Sequence, residues 1–310
     1  MTSKKLKVGL TYDVRDDYLK EGYAPEEIAE FDFPSTIDAL EQVIRDIGYQ
    51  PERIGNIKAL LKKLTAGKRW DLVFNIAEGM YGFGREAQVP AILDAFNIPY
   101  TFSDPLSLSL TLHKGMTKHV VRDLGIPTPD FCVVESSNDL SKVKLPYPMF
   151  AKPVAEGTGK GINPASKINN RRELDKTCRD LLTTFKQPVL LETYLPGREF
   201  TVGILGSGSK ARALGAMEIL LNPNAEQHAY SYENKERCEE LVQYRLATDK
   251  EAKLAMETAL DSWRGLNLKD AGRVDLRSDA AGIPNFMEVN PLAGLHPEHS
   301  DLPILCTHLG

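Results

Sequence analysis

Residues 272–291 read Gly-Arg-Val-Asp-Leu-Arg-Ser-Asp-Ala-Ala-Gly-Ile-Pro-Asn-Phe-Met-Glu-Val-Asn-Pro. Two strand-like runs, Gly272 to Leu276 and Asn285 to Val289, flank a turn that carries Asp279, Gly282 and Pro284, so the segment reads as a β-hairpin. Side chains alternate along a strand, which puts Arg273, Asp275 and Arg277 on one face. Glu288 and Asn290 likewise share a face, with Met287 and Val289 opposite. If the strands pair across the turn, Asp275, Glu288 and Asn290 converge. Two carboxylates and an amide oxygen form a hard-oxygen set suited to Mg²⁺, with Mn²⁺ an alternative ion. Arg273 is then placed to stabilise developing negative charge. A solvated hairpin face with ordinary salt bridges satisfies the same pattern.

Upstream, the texture of the chain divides it. Lys7 to Tyr12 and Asp71 to Ile76 read as strands, with a short one at Ile98 to Tyr100. Ser35 to Gly48, Ile57 to Leu64 and Glu86 to Phe96 have helical spacing; in the first, Ile37, Leu40, Val43, Ile44 and Ile47 share a face, Ser35 is the expected N-cap and Gly48 the terminator. This alternation predicts an α/β domain, a parallel sheet with helices on both faces. After Leu112 strands dominate: Phe131 to Val134, Pro148 to Pro153, Val189 to Tyr194, Phe200 to Leu205 and Arg212 to Leu221. Helices are expected at Lys114 to Leu124 and Lys250 to Trp263. The domains so drawn are 1–112, 113–195 and 196–310.

Three other segments carry chemistry. In Phe150-Ala-Lys-Pro-Val-Ala-Glu-Gly-Thr-Gly-Lys-Gly-Ile, a strand delivers Lys152 ahead of a loop with Gly157, Thr158, Gly159 and Gly161. Glycines let backbone N–H groups approach one anion, and the lysine supplies a point charge for phosphate. The lysine precedes the glycines, so this is not a Walker A loop. A flexible surface hairpin fits equally. In Val189-Leu-Leu-Glu-Thr-Tyr-Leu-Pro-Gly-Arg-Glu, Glu192 and Glu199 bracket a turn able to hold a purine edge and ribose hydroxyls, or are exposed strand ends. Gly294-Leu-His-Pro-Glu-His-Ser-Asp follows the hairpin. His296 and His299 suggest a transition metal, but no third ligand is evident, and a substrate-positioning loop is the better reading.

Composition excludes several classes. Lysine plus arginine total 38 against 43 acidic residues, so a chain of net charge −5 without a basic block is a poor nucleic-acid binder. No run of about 18 apolar residues exists, so no membrane span is expected. The apolar stretch at the start is too short for a secretory signal. Cys132, Cys178, Cys238 and Cys306 are far apart, with no C-x-x-C pair, and read as reduced thiols of a cytoplasmic protein.

Taken in order, the four segments resemble the ATP-grasp superfamily, and within it the D-alanine–D-alanine ligases, from about Asp71 to Pro303. The likeness is most specific in 189–205 and 272–291. It implies an α+β ATP-grasp fold of two subdomains behind the N-terminal domain. Lys114 and Lys152 match lysines that hold ATP phosphates. Glu192 and Leu195 match the adenine-binding hinge, and Glu199 the ribose carboxylate. Lys235, in Tyr-Ser-Tyr-Glu-Asn-Lys-Glu (230–236), matches a lysine on a mobile loop that reaches the terminal phosphates. Asp275, Glu288 and Asn290 match the ligands of two Mg²⁺ ions, Arg273 the arginine that stabilises the transition state, and Ser300 a serine that anchors a substrate carboxylate; Gly294 and His299 fall in the same substrate loop. The implied reaction is ATP-dependent formation of an acyl phosphate, then attack by an amine, on small amino-acid or peptide substrates, by a homodimer.

The chain also departs from the family. The glycine-rich turn with serine and glutamate that grips the first amino acid is replaced by Leu10-Thr-Tyr-Asp-Val-Arg-Asp-Asp-Tyr. Glu78-Gly79 stands where the family has His-Gly, and Glu236 follows Lys235 where tyrosine is usual. The phosphate loop lacks the serine-rich version. The family continues into a terminal helix, so the chain is expected to stop short of one. The nucleotide half of the site is therefore the firmer expectation. The alternatives are a ligase for other amino acids or small peptides, or a nucleotide-binding module that joins nothing.

Overall fold

The computed structural model describes residues 5–226 and 231–310; Met1 to Lys4 and Tyr230, named above, lie outside the described residues. The strand Lys7–Thr11 is central in a parallel three-stranded sheet, between Gln50–Gly55 and Leu72–Asn75. Four of its five residues are buried, as a strand covered on both faces requires. Helices Ile57–Thr65 and Gln88–Ala95 pack Leu60, Leu64 and Leu93 against Val73 and Ile98 on one side. Helices Pro34–Asp46 and Pro105–Leu112 bring Ile37 and Leu108 to Leu10 on the other. The expected α/β layer with helices on both faces forms.

Two details of helix Pro34–Asp46 differ from expectation. It begins at Pro34, whose ring presets the helical φ, so its N-cap is Phe33 and Ser35 makes no cap bond. Val43 and Ile47 are exposed, because only a narrow stripe with Ile37 and Ile44 meets the sheet. The strand Gln50–Gly55 escaped the sequence reading because it is an edge strand with one buried residue, Ile54.

The remainder forms two antiparallel sheets. Four strands are ordered Phe131–Val134, Val189–Thr193, Met149–Pro153, Lys167–Ile168. A helix not read from the sequence, Arg171–Phe185, covers them with Leu174, Cys178 and Leu181. Five strands are ordered Val242–Ala247, Arg212–Leu221, Glu199–Leu205, Ala271–Ser278, Pro284–Asn290. Alternation sends Val274 and Leu276 to one face, where Ala252, Ala255, Ala259 and Trp263 of helix Lys250–Gly265 pack. Alanines let that helix sit close to the sheet, and Trp263 fills the far end. Gly272 has no room for a side chain, since a Cβ there would lie 2.7 Å from the Trp263 ring. The opposite face carries Arg273, Asp275 and Arg277. Residues 194–198 cross from one antiparallel sheet to the other. Contrary to the expectation that the chain stops short of a terminal helix, a last helix, Asp301–Leu309, forms and lays Leu302 and Leu305 on the larger sheet beside Gly203.

Candidate active site

Two adjoining cavities occupy the space between these sheets and the N-terminal layer. The first is a cleft of about 830 Å³, open to solvent, lined by Lys152, Tyr194, Leu195, Glu199, Asp275 and Met287 among others. The second lies toward the N-terminal layer and is lined by Asp32, Glu78, Arg273, Asn290, Gly294 and Ser300 among others. Lys114, Glu156, Lys235 and Glu288 line both, so the two cavities meet at Glu288.

The hairpin forms as expected, with Arg273 opposite Asn290 and Asp275 opposite Glu288. The register then slips by one, pairing Leu276 with Phe286. That bulge leaves Met287 unpaired and turns it into the first cleft with Glu288 instead of away from it. Asn290 donates to Asp275 at 3.2 Å, and Arg273 donates to both Asp275 oxygens at 2.7 and 2.6 Å while reaching Asp301 at 3.2 Å. Burial raises the Asp275 carboxyl against the pull of Arg273. Glu288 is also penalised by burial, but Lys114 and Lys152 outweigh it and hold its carboxyl far below the ordinary range. Two ionisable carboxylates and an amide at one point, faced by lysines, are hard-oxygen donors of the kind a divalent cation requires.

The lysines are held by a buried relay of alternating charge. Lys118 meets Glu192 at 2.5 Å, Glu192 meets Lys152 at 3.1 Å, Lys152 meets Glu288 at 3.7 Å, and Glu288 meets Lys114 at 3.6 Å. Lys118 and Glu192 are 0% exposed, so each must be neutralised by the other. Glu192 therefore lies beneath the cleft and does not line it; the hinge surface is Thr193, Tyr194 and Leu195. Lys118 was not singled out in the sequence. Its place on helix Lys114–Asp123, one turn after Lys114, is the signal that locates it. Burial pushes Lys118 down to about 8 despite Glu192, whereas at Lys152 burial is outweighed by Glu192 and Glu288 and the group is raised.

Glu199 lies in the cleft and pairs with Arg277 at 3.2 Å, and Arg277 also reaches the Tyr194 hydroxyl at 3.3 Å. The glycine-rich loop divides between the cavities: Gly157 and Thr158 line the second, Gly159 the first. The Gly157 N–H donates to Glu30 at 2.5 Å. Gly159, at φ +72°, packs on the chain at Ser231 and Tyr232, where a Cβ would lie 2.7 Å from the Tyr232 nitrogen. Lys235 sits just beyond, in a short helix, Tyr232–Glu236. His299 is held by Glu239 at 3.0 Å and lies 3.7 Å from Cys238. These three place ligand-type atoms within 4.8 Å of one another, a grouping hidden in sequence by the 60 positions that separate Glu239 from His299. Ser300 accepts the His296 N–H at 3.1 Å against Gly294, whose missing side chain makes room for the hydroxyl.

The family model for the D-Ala–D-Ala ligase C-terminus matches residues 120–310. A D-alanine–D-alanine ligase of Marinomonas sp. is 35% identical over 246 residues, 78% of this chain and 73% of that one. The enzyme of that name from Aquifex aeolicus is 32% identical over 274 residues, 88% of each. Among solved structures, D-alanine–D-alanine ligase from Bacillus anthracis complexed with ATP superposes with TM-score 0.72 at 19% identity, covering 99% of this chain and 92% of that one. The VanG D-Ala:D-Ser ligase from Enterococcus faecalis superposes with TM-score 0.74 at 19% identity, covering 99% and 96%. Fold and relatives together define an ATP-dependent ligase of the ATP-grasp class. Within that class, the chain belongs to the D-alanine–D-alanine ligase family. Among the described residues no helix is long and apolar enough to cross a membrane.

Proposed function

We propose that the enzyme activates a small substrate's carboxylate with ATP and passes the acyl group to an amine. The observation that carries this is the meeting of the two cavities at Glu288, with Lys114 and Lys235 bordering both. A phosphoryl donor in the first cavity and a carboxylate in the second then approach each other at one point. The carboxylate oxygen takes the terminal phosphoryl group and ADP leaves. The amine nitrogen next takes the acyl carbon and phosphate leaves.

Within this reading, Tyr194 and Leu195 hold the base, Glu199 the ribose, and Lys114, Lys152 and Lys235 the phosphates. Gly157 to Gly159 close over them. Asp275, Glu288 and Asn290 would hold Mg²⁺, two ions by resemblance, which when bound neutralise phosphate charge. Arg273 stabilises negative charge where the cavities meet, and Gly294, His299 and Ser300 shape the acceptor end. Water is kept from the acyl phosphate by the contact between the glycine-rich loop and residues 231–232. The chain divides functionally at about 112 and 195. It acts in the cytoplasm as a homodimer.

The relatives are named for D-alanine, which is the first substrate to test. The carboxylates of the second cavity, Asp32, Glu78 and Glu86, support a different amino acid. Glu288→Gln is expected to abolish Mg²⁺-dependent ADP release while leaving the fold intact by circular dichroism. Retained turnover would overturn the metal assignment.

A further inference from the structure

The second cavity carries more negative charge than a simple α-amino acid neutralises. Asp32, Glu78 and Glu86 reach it from three separate stretches of the N-terminal layer. Among the described residues none of these three carboxylates has a hydrogen bond or ion pair, and the neighbouring cations pair elsewhere: Lys114 with Glu288 and the Glu156 carbonyl, and Arg273 with Asp275 and Asp301. Arg85 pairs with Glu30 at 2.8 Å and donates to the Ala155 carbonyl at 3.0 Å. Lys160 pairs with Glu30 at 3.3 Å and Glu156 at 2.5 Å. Arg15 donates to the carbonyls of Phe31 and Ala29 and meets Glu236 at 3.5 Å.

A second and independent observation concerns Thr36. It is 0% exposed, lines the same cavity, and its hydroxyl has no hydrogen-bond partner. A buried hydroxyl without a partner costs stability unless a ligand completes it. The carboxylates carry the same sign of cost. Burial, with Glu86 and Glu30 adding to it, drives Glu78 well above the usual range. Burial also pushes Glu86 up to about 7 against Arg85, and Asp32 up to about 7 against Arg15. Groups held at such a cost in a cavity mark the place of a ligand of opposite charge.

The balance of charge selects that ligand. Arg15 partly offsets Asp32, Arg85 partly offsets Glu78, and Arg85 with Lys114 partly offsets Glu86, yet burial still outweighs them, so Glu78 and Glu86 lack a full counter-charge. An α-ammonium satisfies one of them. We propose that this cavity takes an amino acid whose side chain bears a second cation, an amine or a guanidinium, recognised by Asp32, Glu78 and Glu86 with Thr36 completing the contact. The proposal rests on the ligase reading, because the substrate carboxylate must lie toward Glu288.

The test is ADP release by the full chain with Mg²⁺ and ATP, comparing D- and L-lysine, ornithine and arginine with D- and L-alanine and with norleucine, which keeps the length of lysine without its charge. The expected result is kcat/KM at least about tenfold higher for a dicationic amino acid than for norleucine or alanine, as loss of one satisfied buried charge contact implies. Glu78→Gln and Glu86→Gln are each expected to remove that advantage through KM, with KM for ATP unchanged. Alanine as good as or better than lysine, ornithine and arginine would overturn the proposal and keep the ligase. No ADP release with any acid would overturn the ligase reading and the proposal with it. A further measurement reports on the site whether or not turnover survives: each Gln variant is expected to raise the melting temperature of the ligand-free protein clearly more at pH 8 than at pH 5. An unchanged melting temperature at pH 8 would mean the carboxylates are already satisfied, which also overturns the proposal.

Discussion

Glu192 illustrates how far a single residue's type determines its part. A glutamate at the end of an apolar strand is compatible with an exposed strand end or a ligand contact. Complete burial between Lys118 and Lys152 makes it an anchor that positions a lysine at the cleft. Glu30 acts similarly in the N-terminal layer. Burial opposes its charge, but Arg85 and Lys160 dominate and hold its carboxyl down to about 2. A carboxyl depressed in the folded state stabilises above its unfolded value and loses that contribution as pH falls. The loss is therefore expected between about pH 5 and 2, and amounts to roughly 3 kcal/mol against an unfolded value near 4.3. Urea denaturation at stepped pH should show that slope in the parent chain and a flatter one in Glu30→Gln.

At the scale of elements, the hairpin was legible because its period-two alternation and its turn residues agree. Its bulge was not, since nothing local says that Met287 will lack a partner. Helix Arg171–Phe185 was legible but overlooked: Asn170 caps it by accepting the Glu173 N–H, and an Asn-x-x-Glu pattern ahead of a periodic run is a helix start. The pairing of Ala271–Ser278 with its covering helix depends on Gly272. Gly272→Ala places a methyl against the Trp263 ring and the Asn290 carbonyl oxygen. The expected cost is about 1–3 kcal/mol of stability, typical of an overfilled core, measured by denaturant titration. Because Arg273 and Asn290 share this register, kcat should fall as well.

Across the whole molecule, the site exists only where three sheets meet. The glycine-rich loop touches the N-terminal layer through Gly157 and Glu30, and the C-terminal part through Gly159 and Tyr232. Gly159→Ala combines a positive φ with a clash at the Tyr232 backbone. The loop is expected to lift from residues 231–232, raising KM for ATP several-fold and exposing the loop to limited proteolysis. Unchanged proteolysis and KM would show that this contact does not close the cleft.

By itself the sequence determined the α/β layer at the start, the strand-rich remainder, the hairpin with Asp275, Glu288 and Asn290, and Lys152 ahead of its glycine-rich loop, while Lys114 and Lys235 came only from the family resemblance. The former depend on periodicity and spacing within about twenty residues, where backbone geometry alone sets which side chains share a face. Tertiary structure alone decided that Glu192 is buried, that Lys118 joins the relay, and that Cys238 and Glu239 meet His299. It also decided that Asp32, Glu78 and Glu86 face one cavity with Thr36. Those outcomes are set by contacts between distant stretches, and no local pattern records which distant charge will arrive to satisfy a buried one, or that none does.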